Sequence, residues 1–157
     1  MYAIKSVARH LSYNYIQFRL GMIHEPCMCK YSKTLRSVGK KIDQRYDITL
    51  NAKANDLFSA RDEDDDIRER FRRTLDVFVV DDEQRNCNWG RVVMIYVFAA
   101  RLAERCYLHG QHRDVDDLIE MTGSYVAENL SSWIEEQGGW VGNLFLFCLI
   151  HPNKIHS

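Results

Sequence analysis

Proline is nearly missing from this chain: only Pro26 and Pro152 occur in 157 residues. Asn-Gly and Asp-Gly turn pairs are few as well, so an all-β fold would lack its punctuation. Neither sign of charge dominates. With 21 basic and 22 acidic residues the formal net charge is -1, which leaves no electrostatic footprint for nucleic acid. No apolar run approaches the ~20 residues that span a bilayer. The run from Leu144 to Ile150 is too short for a tail anchor, and the amino terminus lacks the pattern of a secretory signal.

Chemistry-bearing clusters are missing too. Five cysteines form an odd set without framework spacing, as expected of reduced thiols in a cytosolic protein. Cys27-Met28-Cys29 is not a metal knuckle, and only His24 lies near it. The acidic run from Asp62 to Asp66 lacks the alternation, the Gly turn and the distant Glu of a calcium loop. Six scattered histidines complete no catalytic motif. Neither an enzyme, a metal site nor a cofactor is expected.

What the chain does have is one organising stretch. Between Arg91 and Arg101 lie nine uncharged residues, Val92 to Ala100, with no Gly or Pro and no polar stripe. A helix apolar all round is soluble only if other helices wrap it. Asn88 is suited to cap that helix through its side-chain oxygen, and Gly110 to end it. The wrapping helices are legible by period. Ile4, Val7, Ala8, Leu11, Tyr15 and Phe18 share one face; Leu35, Val38, Ile42, Tyr46 and Leu50 define a second helix over 34–50. Gly39 lies on the buried face of that helix, where it costs about 1 kcal/mol and hints at a close neighbour.

Ile67, Phe71, Leu75, Phe78 and Val79 face inward on the next helix, with Arg68, Arg70, Arg72 and Arg73 largely opposite. Val115 to Leu130 supplies another helix. Ser132 and Glu135 have capping-box spacing for a short helix ended by Gly138-Gly139. A last short helix is expected from Trp140 to Ile150. The expectation is therefore an all-α bundle of seven to eight helices around a buried apolar one, as a single domain over 1–157.

Asn88-Trp89-Gly90-Arg91-Val92-Val93 and Trp133-Ile134-Glu135-Glu136-Gln137-Gly138-Gly139-Trp140 resemble the first and second homology motifs of the Bcl-2 family of apoptosis regulators. The segment from Leu35 through Gly39 to Asp47 resembles the third, and Leu11-Ser12-Tyr13 more weakly the fourth. The resemblance runs from about Ile4 to Ile150. It implies a Bcl-2-like fold with a surface groove that receives the amphipathic Bcl-2 homology 3 helix of a pro-apoptotic family partner, by helix-in-groove recognition. Arg91 would meet the aspartate of that ligand, with Asn88 and Gly90 beside it. Gly90 would let the ligand backbone come close. Carried over by position, the groove would be lined by Ile42, Tyr46, Leu50, Val93, Phe98 and Phe147; periodicity adds Phe71, Leu75, Phe78 and Val79.

The family holds both survival proteins and pore-forming killers. A killer must expose its third motif, where Asp follows Gly; here Lys40 follows Gly39 and would set a cation against a receptor arginine. The chain thus looks like a poor ligand that keeps receptor features, and its brevity resembles the compact inhibitors encoded by viruses. The expected role is an anti-apoptotic sequesterer, cytoplasmic, with peripheral contact at host mitochondria. The alternative is a pore-forming effector of the same family. A groove open to water would also invite a homodimer.

Overall fold

A computed structural model of the chain describes residues 1–23, 29–59, 66–79 and 87–140. Seven helices appear among them: α1 (Tyr2–Arg19), α2 (Lys30–Arg45), α3 (Asp47–Ser59), α4 (Ile67–Val79), α5 (Trp89–Leu108), α6 (His112–Asn129) and α7 (Ser131–Glu136). The all-α expectation holds, and among the described residues there is no strand. The helix expected beyond Trp140, Phe147 within it, lies outside the described residues. So do most of the acidic run before α4 and residues 27 and 28 of the cysteine pair, as well as the side chains of Phe78 and Val79.

The long apolar run is α5, and it behaves as a helix without a polar face must. Fourteen of its 20 residues are buried, and α1, α2, α3, α4 and α6 all pack against it. Asn88 caps it as expected: its Oδ1 accepts from the Arg91 backbone N at 2.9 Å. Tyr96, in the middle of the helix, is fully buried, and its hydroxyl donates to the Ala8 carbonyl of α1 at 3.0 Å, so the one polar group in the run is satisfied. Burial also lifts the pKa of that phenol far above its ordinary value.

Gly39 on α2 has the close neighbour that its cost implied. A Cβ there would lie 2.6 Å from the hydroxyl oxygen of Tyr15 on α1 and 2.9 Å from its ring carbon Cζ. Glycine is what lets the two helices meet around that phenol. The hydroxyl in turn accepts from Arg19 Nη1 at 3.0 Å.

Three local expectations are corrected. The second helix does not run unbroken through 34–50; it ends at Arg45, and Tyr46, with φ -108° and ψ 25°, turns the chain into α3. The apolar spacing survives the turn because Leu50 N still bonds to Tyr46 O at 2.8 Å. Phe18 is 37% exposed and Ile16 takes the inward position; the Phe18 ring instead stacks under the Arg36 guanidinium at 4.1 Å. The Ser132 capping box does not form. α7 starts at Ser131 directly after α6, across a single residue, Leu130, that keeps helical φ and ψ; the neighbouring Ser131 hydroxyl donates back to Ala127 O at 2.5 Å. Chain continuity already supplies what a cap would have. Gly138 and Gly139, at φ 93° and 87°, end α7 as the pair suggested.

Candidate functional site

Seven of the expected lining residues can be placed with their side chains. Ile42, Tyr46 and Leu50 come from α2 and the start of α3, Phe71 and Leu75 from α4, and Val93 and Phe98 from α5. All belong to one apolar cluster, and none is more than 6% exposed. Phe71 and Phe98 stack with ring centres 6.0 Å apart. The fold thus gathers these residues in one place, as core. α3 and α4 lie against each other and both against α5, so these side chains are covered.

Between α3 and α4 lies an open cleft of about 410 Å³. Lys53, Asp56 and Leu57 line it from α3, and Arg70, Arg73, Thr74 and Val77 from α4. Arg70 ties the two helices together, donating from Nη2 to Asp56 O at 3.3 Å. Val77 is 67% exposed beside it. Leu57, Leu75 and the Phe71–Phe98 pair belong to one apolar core.

Arg91 stands in the first turn of α5 and is only 8% exposed. A cation at the amino-terminal end of a helix works against the dipole, and burial adds a further cost. Immediately before the cap, burial pushes the Cys87 thiol up to about 11, the nearby Arg91 charge pulling weakly the other way. Gly90 is buried with its neighbours.

The two tryptophan-bearing motifs meet in space. Trp89 of α5 packs edge-on to Trp133 of α7, with centres 4.9 Å apart, and tilted against Trp140 at 5.6 Å. Trp140 Nε1 donates to Ile4 O at 3.0 Å, which fastens the group to the start of α1. This cluster holds the first turn of α5, and with it Arg91, in place.

A polar network missed by the sequence reading anchors the third motif. Arg101 of α5 donates from Nε to Asp43 Oδ1 at 2.6 Å and from Nη2 to the Asp43 carbonyl at 3.0 Å. It also reaches Asp47, by Nη1 to the carbonyl at 3.2 Å and by Nη2 to Oδ1 at 2.5 Å. Arg19 completes the group with a 3.2 Å bond to the other Asp43 oxygen. Burial works against the charge of both arginines. Their pKa values nonetheless rise, through Tyr15 and Asp43 for Arg19 and through Asp43 and Asp47 for Arg101. The only available signal was that Arg101 is the charge that ends the apolar run. The face of α2 carrying Leu35, Val38 and Ile42 is thereby held inward, while Lys40 points to solvent.

The family model described as "Apoptosis regulator proteins, Bcl-2 family" matches residues 35–140, more than half of the chain. The chain belongs to the Bcl-2 family. Human apoptosis regulator BAX is 30% identical over 118 residues, which is 75% of this chain and 56% of BAX, so the match spans little more than half of that relative. Among solved Bcl-2 folds, the zebrafish pro-survival protein NRZ in its Bad BH3 complex superposes with a TM-score of 0.79 at 23% identity, covering 92% of this chain and 94% of NRZ. Chicken BOK superposes with a TM-score of 0.72 at 23% identity, covering 88% and 91%. At such identities the structural likeness speaks for the fold. Among the described residues of this Bcl-2 family chain, no helix is long and apolar enough to cross a membrane.

Proposed function

We propose that the protein is an anti-apoptotic regulator that sequesters the Bcl-2 homology 3 helix of pro-apoptotic family members. The observation that carries this reading is the pairing of a buried receptor arginine with a disabled ligand motif. Arg91 is held at the head of α5 by the Asn88 cap and the tryptophan cluster, at the position where the family resemblance puts the ligand's aspartate. The chain's own third motif has Lys40 where a ligand needs an acid, and its apolar face is clamped inward through Asp43.

The ligand helix would enter by parting α3 from α4 at their cleft, with Leu57, Leu75, Phe71 and Phe98 among the apolar groups turned to its anchors. Ile42, Tyr46, Leu50 and Val93 belong to the same proposed lining, as do Phe78, Val79 and Phe147 from their sequence positions. Entry costs the Arg70 bond to Asp56 and some contact between the two helices. The gain is burial of four apolar anchors plus one charge pair. A cytoplasmic location with peripheral contact at mitochondria accompanies that role. Viral origin has no residue of the chain behind it and forms no part of this reading.

Fluorescence anisotropy of labelled Bcl-2 homology 3 peptides tests it, with the protein and its Arg91→Glu variant. Loss of one partner from a desolvated charge pair costs about 2–5 kcal/mol, so the variant should bind at least tenfold more weakly. Peptides that bind neither protein, or both equally, would refute the assignment of Arg91. The alignment with BAX favours a second reading, a pore-forming effector, which leakage of dye from vesicles would reveal.

A further inference from the structure

The chain as a whole carries a net charge of -1, yet the walls of the α3–α4 cleft hold three cations against one carboxylate. The balancing acids lie elsewhere: α6, which does not line the cleft, has five of them and one arginine. Lys53 stands on the α3 wall, and Arg70 and Arg73 on the α4 wall, so positive charge borders the opening from both sides. Arg70, Arg73 and Val77 follow one another at helical spacing and share one face of α4. Arg73 is exposed and Lys53 half-buried, while Arg70 bridges the two walls through the Asp56 carbonyl. Leu57 and Val77 share the lining with these cations. The surface complementary to it is therefore amphipathic, apolar along one line and acidic at its sides.

We propose that Lys53, Arg70 and Arg73 make the cleft selective by charge. Among amphipathic helices with equal apolar anchors, it takes those with acidic residues beside the anchors and turns away those with basic residues there. The inference rests on entry of the ligand helix between α3 and α4, and it concerns contacts other than the one at Arg91. A helix lying between the walls shows one flank to Lys53 and the other to Arg70 and Arg73, so acids on both flanks meet cations. Charges at a rim act mainly on the association rate and its salt dependence. Lysines in the same places of a ligand set like charges together, which discriminates against that partner.

Two synthetic helices provide the test. They share the same apolar anchors and the same aspartate for Arg91, but one has glutamate and the other lysine at the positions flanking the anchors. Anisotropy gives their affinities for the full chain, and stopped-flow fluorescence their association rates. At low salt the glutamate helix should bind about tenfold more tightly or better, chiefly through faster association. The gap should narrow with salt, as the Debye length shrinks from about 10 Å at 0.1 M to about 3 Å at 1 M. Lys53→Glu/Arg73→Glu should abolish or invert the preference. Arg9→Glu/Arg113→Glu, an equal change of charge on α1 and α6, should leave it within about twofold. Arg70 stays in place because it ties α3 to α4. Circular dichroism establishes folding of each variant, and Lys53→Gln/Arg73→Gln replaces a charge-reversal variant that does not fold. Equal affinity for the two helices, with Arg91→Glu still weakening both, would overturn charge selection and leave the groove assignment standing. A preference that survives Lys53→Glu/Arg73→Glu, or that both double variants lose equally, would overturn it as well. Binding of neither helix would overturn charge selection and the groove assignment together.

Discussion

Gly39→Ala is the substitution whose outcome follows most directly from the packing of α1 against α2. On an exposed helix the change would add up to about 1 kcal/mol of stability, because glycine is the poorer helix former. Here the new methyl would stand 2.6 Å from Tyr15 Oη, 2.9 Å from Cζ and 3.0 Å from Cε2. Tyr15 is 1% exposed and packed within the apolar core. Burial raises the pKa of its phenol, and its hydroxyl is already committed to Arg19, which also holds Asp43. Overpacking of this kind costs about 1–3 kcal/mol, and displacing the phenol disturbs a hydrogen bond worth about 1 kcal/mol more. After the propensity gain, the net expectation is destabilisation by about 1–3 kcal/mol, or a few degrees in Tm for a domain of this size. Urea denaturation of wild type, Gly39→Ala, Tyr15→Leu and the double variant measures it. The clash should vanish in the Tyr15→Leu background, where Gly39→Ala becomes neutral or stabilising. A stabilised Gly39→Ala single variant would refute the close approach and with it the seating of α2.

Other outcomes follow from particular contacts. Asn88→Ala removes the side-chain cap of α5 and should cost about 0.5–2 kcal/mol in urea denaturation, with Asn88→Asp retaining most of it. Arg101→Ala leaves Asp43 and Asp47 short of partners and should cost about 2–4 kcal/mol; amide exchange should show α2 and the start of α3 loosening first. Because the Cys87 thiol titrates near 11 in the folded protein against 9.0 ordinarily, the native state keeps that proton longer. Stability therefore falls as pH rises from about 9 towards 11, by at most about 3 kcal/mol, and Cys87→Ala should abolish this part of the slope. Its alkylation near neutral pH should be about a hundredfold slower than that of a free thiol.

How far the sequence could be read depended on whether a feature was local. α5 was legible because no water-facing stripe interrupts Val92 to Ala100, and Asn88 because a cap needs only the residues beside it. Gly39 announced a neighbour but could not name Tyr15, which is 24 positions away in the chain. The turn at Tyr46 was invisible, since neither Gly nor Pro marks it and the apolar period passes through unchanged. The covered state of Phe71, Leu75 and Phe98 was also out of reach. An apolar position lines a core or a groove depending on whether α3 and α4 lie together or apart, and periodicity is the same for both. The Arg19–Asp43–Arg101 network joins three helices, and ion pairs of that kind leave no regular spacing in the sequence.

On the proposed function, this chain captures pro-apoptotic helices rather than opening membranes itself. The direct measurement is dye release from mitochondria-like liposomes challenged with a pore-forming family member and an activating Bcl-2 homology 3 peptide, with increasing amounts of the protein and of Arg91→Glu. The wild-type protein should suppress release in proportion to the peptide it binds, Arg91→Glu should do so much less, and neither should cause release alone. Release driven by the wild-type protein and peptide without the pore-forming member would contradict it and place the chain among the effectors.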